Sequence, residues 1–147
     1  MVELGHIALY VRDLGNSISF YTKALGLELQ GNIFGGKAAV LTGGRTHHEL
    51  LLIEMGDAPG PLPGRRIGMY HMGWKVGNDL TALKLSYERI NEAGIVIEGL
   101  ADHTISQSIY LRDPDGNEVE VYVDDQSVDW RKDKQWMNEP VKPLDLG

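Results

Sequence analysis

Cysteine is absent from this 147-residue chain, which excludes a disulfide framework and thiolate ligation, so any bound metal has to use His and carboxylates. Basic residues are the minority. With 14 Lys and Arg against 21 Asp and Glu, the net charge of -7 repels phosphate backbones, and no nucleic-acid partner is expected. Long apolar runs are missing too. Glu3 and Arg12 bracket a short apolar segment, with no signal-type hydrophobic region and no bilayer-spanning stretch, so the reading is a cytoplasmic protein with no membrane partner. What remains, 42% hydrophobic and 24% charged residues, suits a packed globular core of single-domain size.

The chain repeats itself once. GHIALYVRDLGNSISFYTKALG at 5–26 and YHMGWKVGNDLTALKLSYERINEAG at 70–94 share a His followed five residues later by Val, then Asp-Leu, then Tyr eight residues after that Asp. Each copy reads as an alternating strand, an Asp N-cap, an amphipathic helix and a Gly near the helix end. Leu14, Ile18, Tyr21 and Leu25 form the apolar helical face of the first copy, and Leu80, Leu83, Tyr87 and Ile90 that of the second. Strand-like runs follow at 27–33, 37–42 and 48–54, then at 95–98, 107–112 and 117–123. The pattern is βαβββ written twice. The Pro- and Gly-rich stretch 56–68 between the copies suits an irregular connector.

Alternate strand residues face opposite sides of a sheet, so Ile7, Leu9 and Val11 pack under the first helix and leave His6 on the other face. The same parity sets His71 opposite Met72, Trp74 and Val76, and Glu118 and Glu120 opposite Val119, Val121 and Val123. Two imidazoles at equivalent repeat positions and one carboxylate make a two-His, one-carboxylate set. That set suits non-haem Fe(II) and leaves coordination positions open for substrate and O₂.

The runs GHIAL at 5–9, YHMGW at 70–74 and IYLRDPDGNEVEVY at 109–122 resemble the vicinal-oxygen-chelate superfamily of glyoxalases, bleomycin resistance proteins and dioxygenases. Within it the resemblance is to single-domain type I extradiol ring-cleaving dioxygenases, and it extends to the tail at 129–146. It implies an α+β domain over 1–124, built from βαβββ modules 1–55 and 69–124 with linker 56–68, a metal site in the cavity between curved sheets, and a C-terminal tail at 125–147. It further implies Fe(II) on His6, His71 and Glu120, with His48 as acid–base residue. By the same resemblance, Tyr110 is the phenol that hydrogen-bonds a ring-bound oxygen, and His103 a supporting donor. The implied reaction inserts O₂ into a catechol-type aromatic diol and opens its ring, needing no organic cofactor. A homodimer or larger homo-oligomer is the expected assembly.

Two other functions are compatible with such a fold. A glyoxalase-like isomerase or lyase uses four protein ligands, the fourth falling to Glu49 or Glu54. A metal-free binder would grip an aromatic ligand without reaction. On the residues alone His48 reads equally as a polar strand residue, and Tyr110 as a rim aromatic packed on a sheet. Asp113 and Asp115, flanking Pro114, read as turn residues, and Trp74, Met69 and Met72 as core or pocket wall. The tail is expected to cap the pocket or reach a neighbouring subunit.

Overall fold

Both repeated segments fold as Asp-capped strand–helix pairs. Asp13, in extended conformation, accepts the Asn16 backbone N–H at 2.8 Å and starts α1 (Leu14–Leu25) after β1 (Ile7–Val11). Asp79 accepts the Ala82 N–H at 2.9 Å and starts α2 (Leu80–Glu92) after β5 (His71–Gly77). Each such cap stabilises its helix by about 1 kcal/mol. Gly26, at φ 71°, closes α1 in the left-handed conformation that only Gly adopts without strain, its N–H bonding the Thr22 carbonyl. The computed structural model describes residues 1–147 and divides into two units, one of 1–64 with 113–116 and one of 65–112 with 117–147.

In the first unit β2 (Glu28–Ile33), β3 (Ala38–Thr42) and β4 (Leu50–Glu54) complete a four-stranded sheet of order β1-β4-β3-β2, with β1 parallel to β4 and the remaining pairs antiparallel. Leu41, Leu50, Leu52 and Tyr21 are fully buried. Burying an apolar side chain of this size contributes roughly 1.5–3 kcal/mol. The helix seats itself with Ser17 and Ala24 also buried and Ile18 only partly so, because small side chains let the helix approach the sheet closely. At its N-terminus the Glu54 carboxylate accepts the Leu14 N–H at 2.9 Å. The turn 113–116 belongs to this unit. Tyr21 Oη donates to Asp113 Oδ2 at 2.7 Å, and Asp115 accepts the Arg12 backbone N–H at 3.3 Å.

In the second unit β6 (Gly99–Asp102), β7 (Ser106–Arg112) and β8 (Glu118–Asp124) give the order β5-β8-β7-β6, with β5 parallel to β8. The α+β class and the doubled βαβββ order are as expected from sequence. The strand expected at 95–98 lies instead at 99–102, because the N–H groups of Gly94 and Ile95 are spent closing α2 on the carbonyls of Asn91 and Ile90. Leu80, assigned to the buried helical face, is 44% exposed in the first turn of α2, while Leu83 and Ile90 are fully buried. Strand parity holds in β8. Val119, Val121 and Val123 are fully buried, and Glu118, Glu120 and Tyr122 face the other side. The tail belongs to this unit, adding a bridge between Asp102 and Lys142 and a short 3-10 turn at Gln135–Asn138. No helix is long and apolar enough to cross a membrane.

Candidate metal centre

The register of β5 on β8 sets His71 opposite Glu118 and Gly73 opposite Glu120, which places one imidazole between two carboxylates. His71 Nδ1 lies 3.0 Å from Glu118 Oε2, and His71 Nε2 lies 3.0 Å from Glu120 Oε2. All three side chains are largely shielded from water. Gly73 keeps this corner open. A Cβ there would stand 3.3 Å from Glu120 Oε2 and 3.3 Å from Tyr122 Cε1, tighter than ordinary contact.

The other oxygen of Glu120 is already occupied. Ser108 Oγ donates to Glu120 Oε1 at 2.6 Å, and Tyr110 Oη donates to the same oxygen at 3.2 Å. Tyr110 spends its single proton on that carboxylate, so it accepts from His103 Nε2, 2.7 Å away, which places the His103 proton on Nε2. Burial and the adjacent Glu120 charge push the Tyr110 phenol up to about 12, which keeps it protonated and able to donate. A chain of contacts therefore runs from His103 through Tyr110 and Glu120 to His71 and Glu118.

His71, His103, Tyr110 and Glu120 border a cavity of about 390 Å³ whose further wall comes from the tail, through Trp136, Met137 and Glu139. The tail therefore lines the pocket of its own unit. Ser108 was not singled out from sequence, although it shares the Tyr110 face of β7 by simple alternation. The sequence offers the tail, with Trp130 and Trp136, as a pocket cap or a contact with a neighbouring subunit; Trp136 lies in the wall, and which other tail residues join it depends on where an irregular segment lands.

His71 Nδ1 lies at hydrogen-bond distance from Glu118, and Nε2 is turned toward Glu120 Oε2. The 3.0 Å between those two atoms leaves both within reach of one cation. A separation of 3.0 Å also fits the cis edge of an octahedron with bonds of about 2.1 Å. The donor set of His71 and Glu120 thus fits two positions of a divalent metal. No group of three or more His, Asp and Glu side chains closes into a metal cage.

His6 and His48 lie in the first unit, their ring centroids 4.9 Å apart. His48 also meets His47, Nδ1 to Nδ1 at 2.6 Å, and it precedes β4 instead of opening it. Desolvation, followed by the charges of His47 and His6, pushes the His48 imidazole below its usual range and favours the neutral base. Glu49 and Glu54 are otherwise engaged. Glu49 accepts the N–H groups of Gly43, Arg45 and Thr46 at 2.7–3.2 Å, and Glu54 caps α1.

A family model described as the glyoxalase/bleomycin resistance protein/dioxygenase superfamily matches residues 3–121. The chain is 32% identical over 134 residues to catechol-2,3-dioxygenase of Bacillus subtilis (strain 168), covering 90% of this chain and 45% of that protein. It therefore spans about half the length of that relative. To biphenyl-2,3-diol 1,2-dioxygenase 3 of Rhodococcus globerulus it is 27% identical over 150 residues, covering 96% and 76% of the two chains. A glyoxalase/dioxygenase structure from Nostoc punctiforme superposes with a TM-score of 0.74 at 23% identity, covering 84% of this chain and 92% of that one. Lactoylglutathione lyase from Agrobacterium tumefaciens gives 0.61 at 28% identity, covering 82% and 92%.

Proposed function

Because the chain belongs to the glyoxalase/bleomycin resistance protein/dioxygenase superfamily, we propose that it is an Fe(II)-dependent extradiol dioxygenase that opens the ring of a catechol-type aromatic diol with O₂. The observation that carries this reading is the Tyr110 phenol, braced by His103 and set against the Glu120 carboxylate at the cavity wall. A phenol in that place suits hydrogen bonding to an oxygen of a bound diol. His71 and Glu120 are metal ligands in this reading, and the repeat in the sequence adds His6 as the third.

Fe(II), when bound, supplies the redox chemistry that lets an electron-rich ring react with O₂. The remaining work belongs to side chains. His48, kept neutral, takes a proton from a diol hydroxyl at Nε2, since its Nδ1 faces His47. On diol binding Tyr110 turns its single proton from Glu120 Oε1 to the ring oxygen, leaving Ser108 on that carboxylate, and His103 holds the phenol in place. Trp136 and Met137 offer an aromatic face and a thioether to the ring. The engagement of Glu49 and Glu54 in backbone hydrogen bonds disfavours the four-ligand isomerase, since each would have to abandon its N–H partners to reach a metal. The same reading makes the protein a cytoplasmic homodimer or larger homo-oligomer.

The test is oxygen uptake by anaerobically Fe(II)-loaded protein with a panel of substituted catechols, following the absorbance of the coloured ring-opened product. Stoichiometric uptake with product is expected. His71→Ala should lose iron and turnover together, whereas His48→Ala should keep iron and lose turnover. Bound iron without oxygen uptake on any diol would sink the dioxygenase reading in favour of an isomerase.

A further inference from the structure

We infer that Glu118 is a positioning residue that selects the metal-binding tautomer and ring orientation of His71. The inference rests on the reading of His71 as a ligand. Imidazole offers a metal one nitrogen only if the proton sits on the other, and a free ring divides its proton between the two. In the second unit that choice is made by position. Glu118 lies directly across from His71 in the β5–β8 register, with Oε2 3.0 Å from Nδ1. A carboxylate at that distance takes the Nδ1 proton as a charge-assisted hydrogen bond and leaves the Nε2 lone pair facing Glu120 Oε2, also 3.0 Å away.

The two carboxylates, two residues apart on one strand face, are thereby given different tasks. Glu118 Oε1 lies 3.6 Å from the Arg112 guanidinium, which balances its charge and holds it on the Nδ1 side. Glu120 Oε1 takes the hydroxyls of Ser108 and Tyr110, and its Oε2 is the atom turned to His71 Nε2. The hydrogen bond from Nδ1 also fixes the imidazole plane about χ2, so the ring reaches a metal without first losing rotational freedom. Outer carboxylates of this kind typically change metal affinity by about 10–100-fold.

The experiment titrates metal-free full-length protein anaerobically with Co(II), reading affinity from its visible bands. In parallel, long-range ¹H–¹⁵N correlation reports the His71 tautomer in the metal-free state. Glu118→Ala is expected to weaken Co(II) by about 10–100-fold and to remove the preference for the Nδ1–H form, with the rest of the amide spectrum retained. Glu118→Gln, which keeps an acceptor oxygen of the same reach, should retain most of the tautomer preference and lose less affinity, and it serves should the Ala variant fold poorly. His71→Ala is the control that separates the two ideas. If it binds Co(II) as wild type does, the ligand reading itself is wrong. If it loses Co(II) while both Glu118 variants keep wild-type affinity and tautomer, the positioning role alone is overturned.

Discussion

The phenol of Tyr21, in α1, donates a 2.7 Å hydrogen bond to the carboxylate of Asp113, 92 residues further along the chain. Tyr21 is fully buried and Asp113 nearly so. Burial, then the Asp113 charge, raises the phenol far above its ordinary range, so it stays a donor at every pH the fold survives. Tyr21→Phe removes that donor from a buried carboxylate and should cost about 1–3 kcal/mol. Urea denaturation of the two proteins measures the difference. Unchanged stability would mean that Asp113 draws enough from its other partners, such as the Asp115 N–H at 3.0 Å.

Glu49 supplies a pH-dependent prediction. Desolvation opposes its charge, but the N–H groups of Gly43, Arg45 and Thr46 outweigh it and hold the carboxyl below its usual pKa of 4.5. A group depressed in the folded state adds stability above its unfolded pKa and loses it as pH falls through the folded value. Glu49→Gln should therefore lie about 1–3 kcal/mol below wild type at pH 7. The gap should close as the pH falls below 4.5, and thermal melts at a series of pH values will show whether it does. A constant gap down to pH 3 would contradict the assignment.

Gly77 ends β5 against the first turn of α2, and a Cβ there would stand 2.4 Å from the Ala82 Cβ. Gly77→Ala should destabilise by roughly 1–3 kcal/mol through overpacking. Adding Ala82→Gly should restore part of that loss, even though Gly in a helix itself costs about 1 kcal/mol. A strictly additive pair in thermal unfolding would show that the contact is not the cause.

Tyr110 and Ser108 hold the same oxygen of Glu120 and should separate in their effects. Tyr110→Phe leaves the 2.6 Å Ser108 bond in place, so metal affinity should stay near wild type while kcat on a catechol falls roughly 100-fold. Ser108→Ala should instead weaken metal binding, because the hydrogen bond that the fully buried Ser108 donates to Glu120 is lost. Equal losses of affinity in both variants would assign Tyr110 to the ligand scaffold and remove it from proton donation.

The doubled βαβββ order was legible because its signals are local. Asp13 and Asp79 announce helix starts within three residues, and the Val119–Val123 alternation announces a half-buried strand by itself. That His71 and Glu120 share one sheet face was legible through the same alternation. The displaced strand at 99–102 was not, because IVIE at 95–98 carries apolar β-branched residues while its first N–H is committed to closing the helix. Strand parity makes neither Glu49 nor Glu54 an obvious fourth ligand yet leaves both open, because nothing in a sequence shows that a carboxylate will be used by the backbone N–H groups of a turn or a helix start. Glu118 appeared merely as a neighbour of Glu120 on one face. Its place across from His71 is a matter of register between strands more than forty residues apart.

The assignment of residues 113–116 to the first unit has a hereditary consequence. An ancestral duplication would have produced two interchangeable copies, yet the later copy now carries the acceptor that the earlier copy's Tyr21 requires. A recombination event with its breakpoint in the 56–68 connector would part donor from acceptor. New pairings of such halves should persist only where the incoming hairpin again brings a carboxylate to Tyr21.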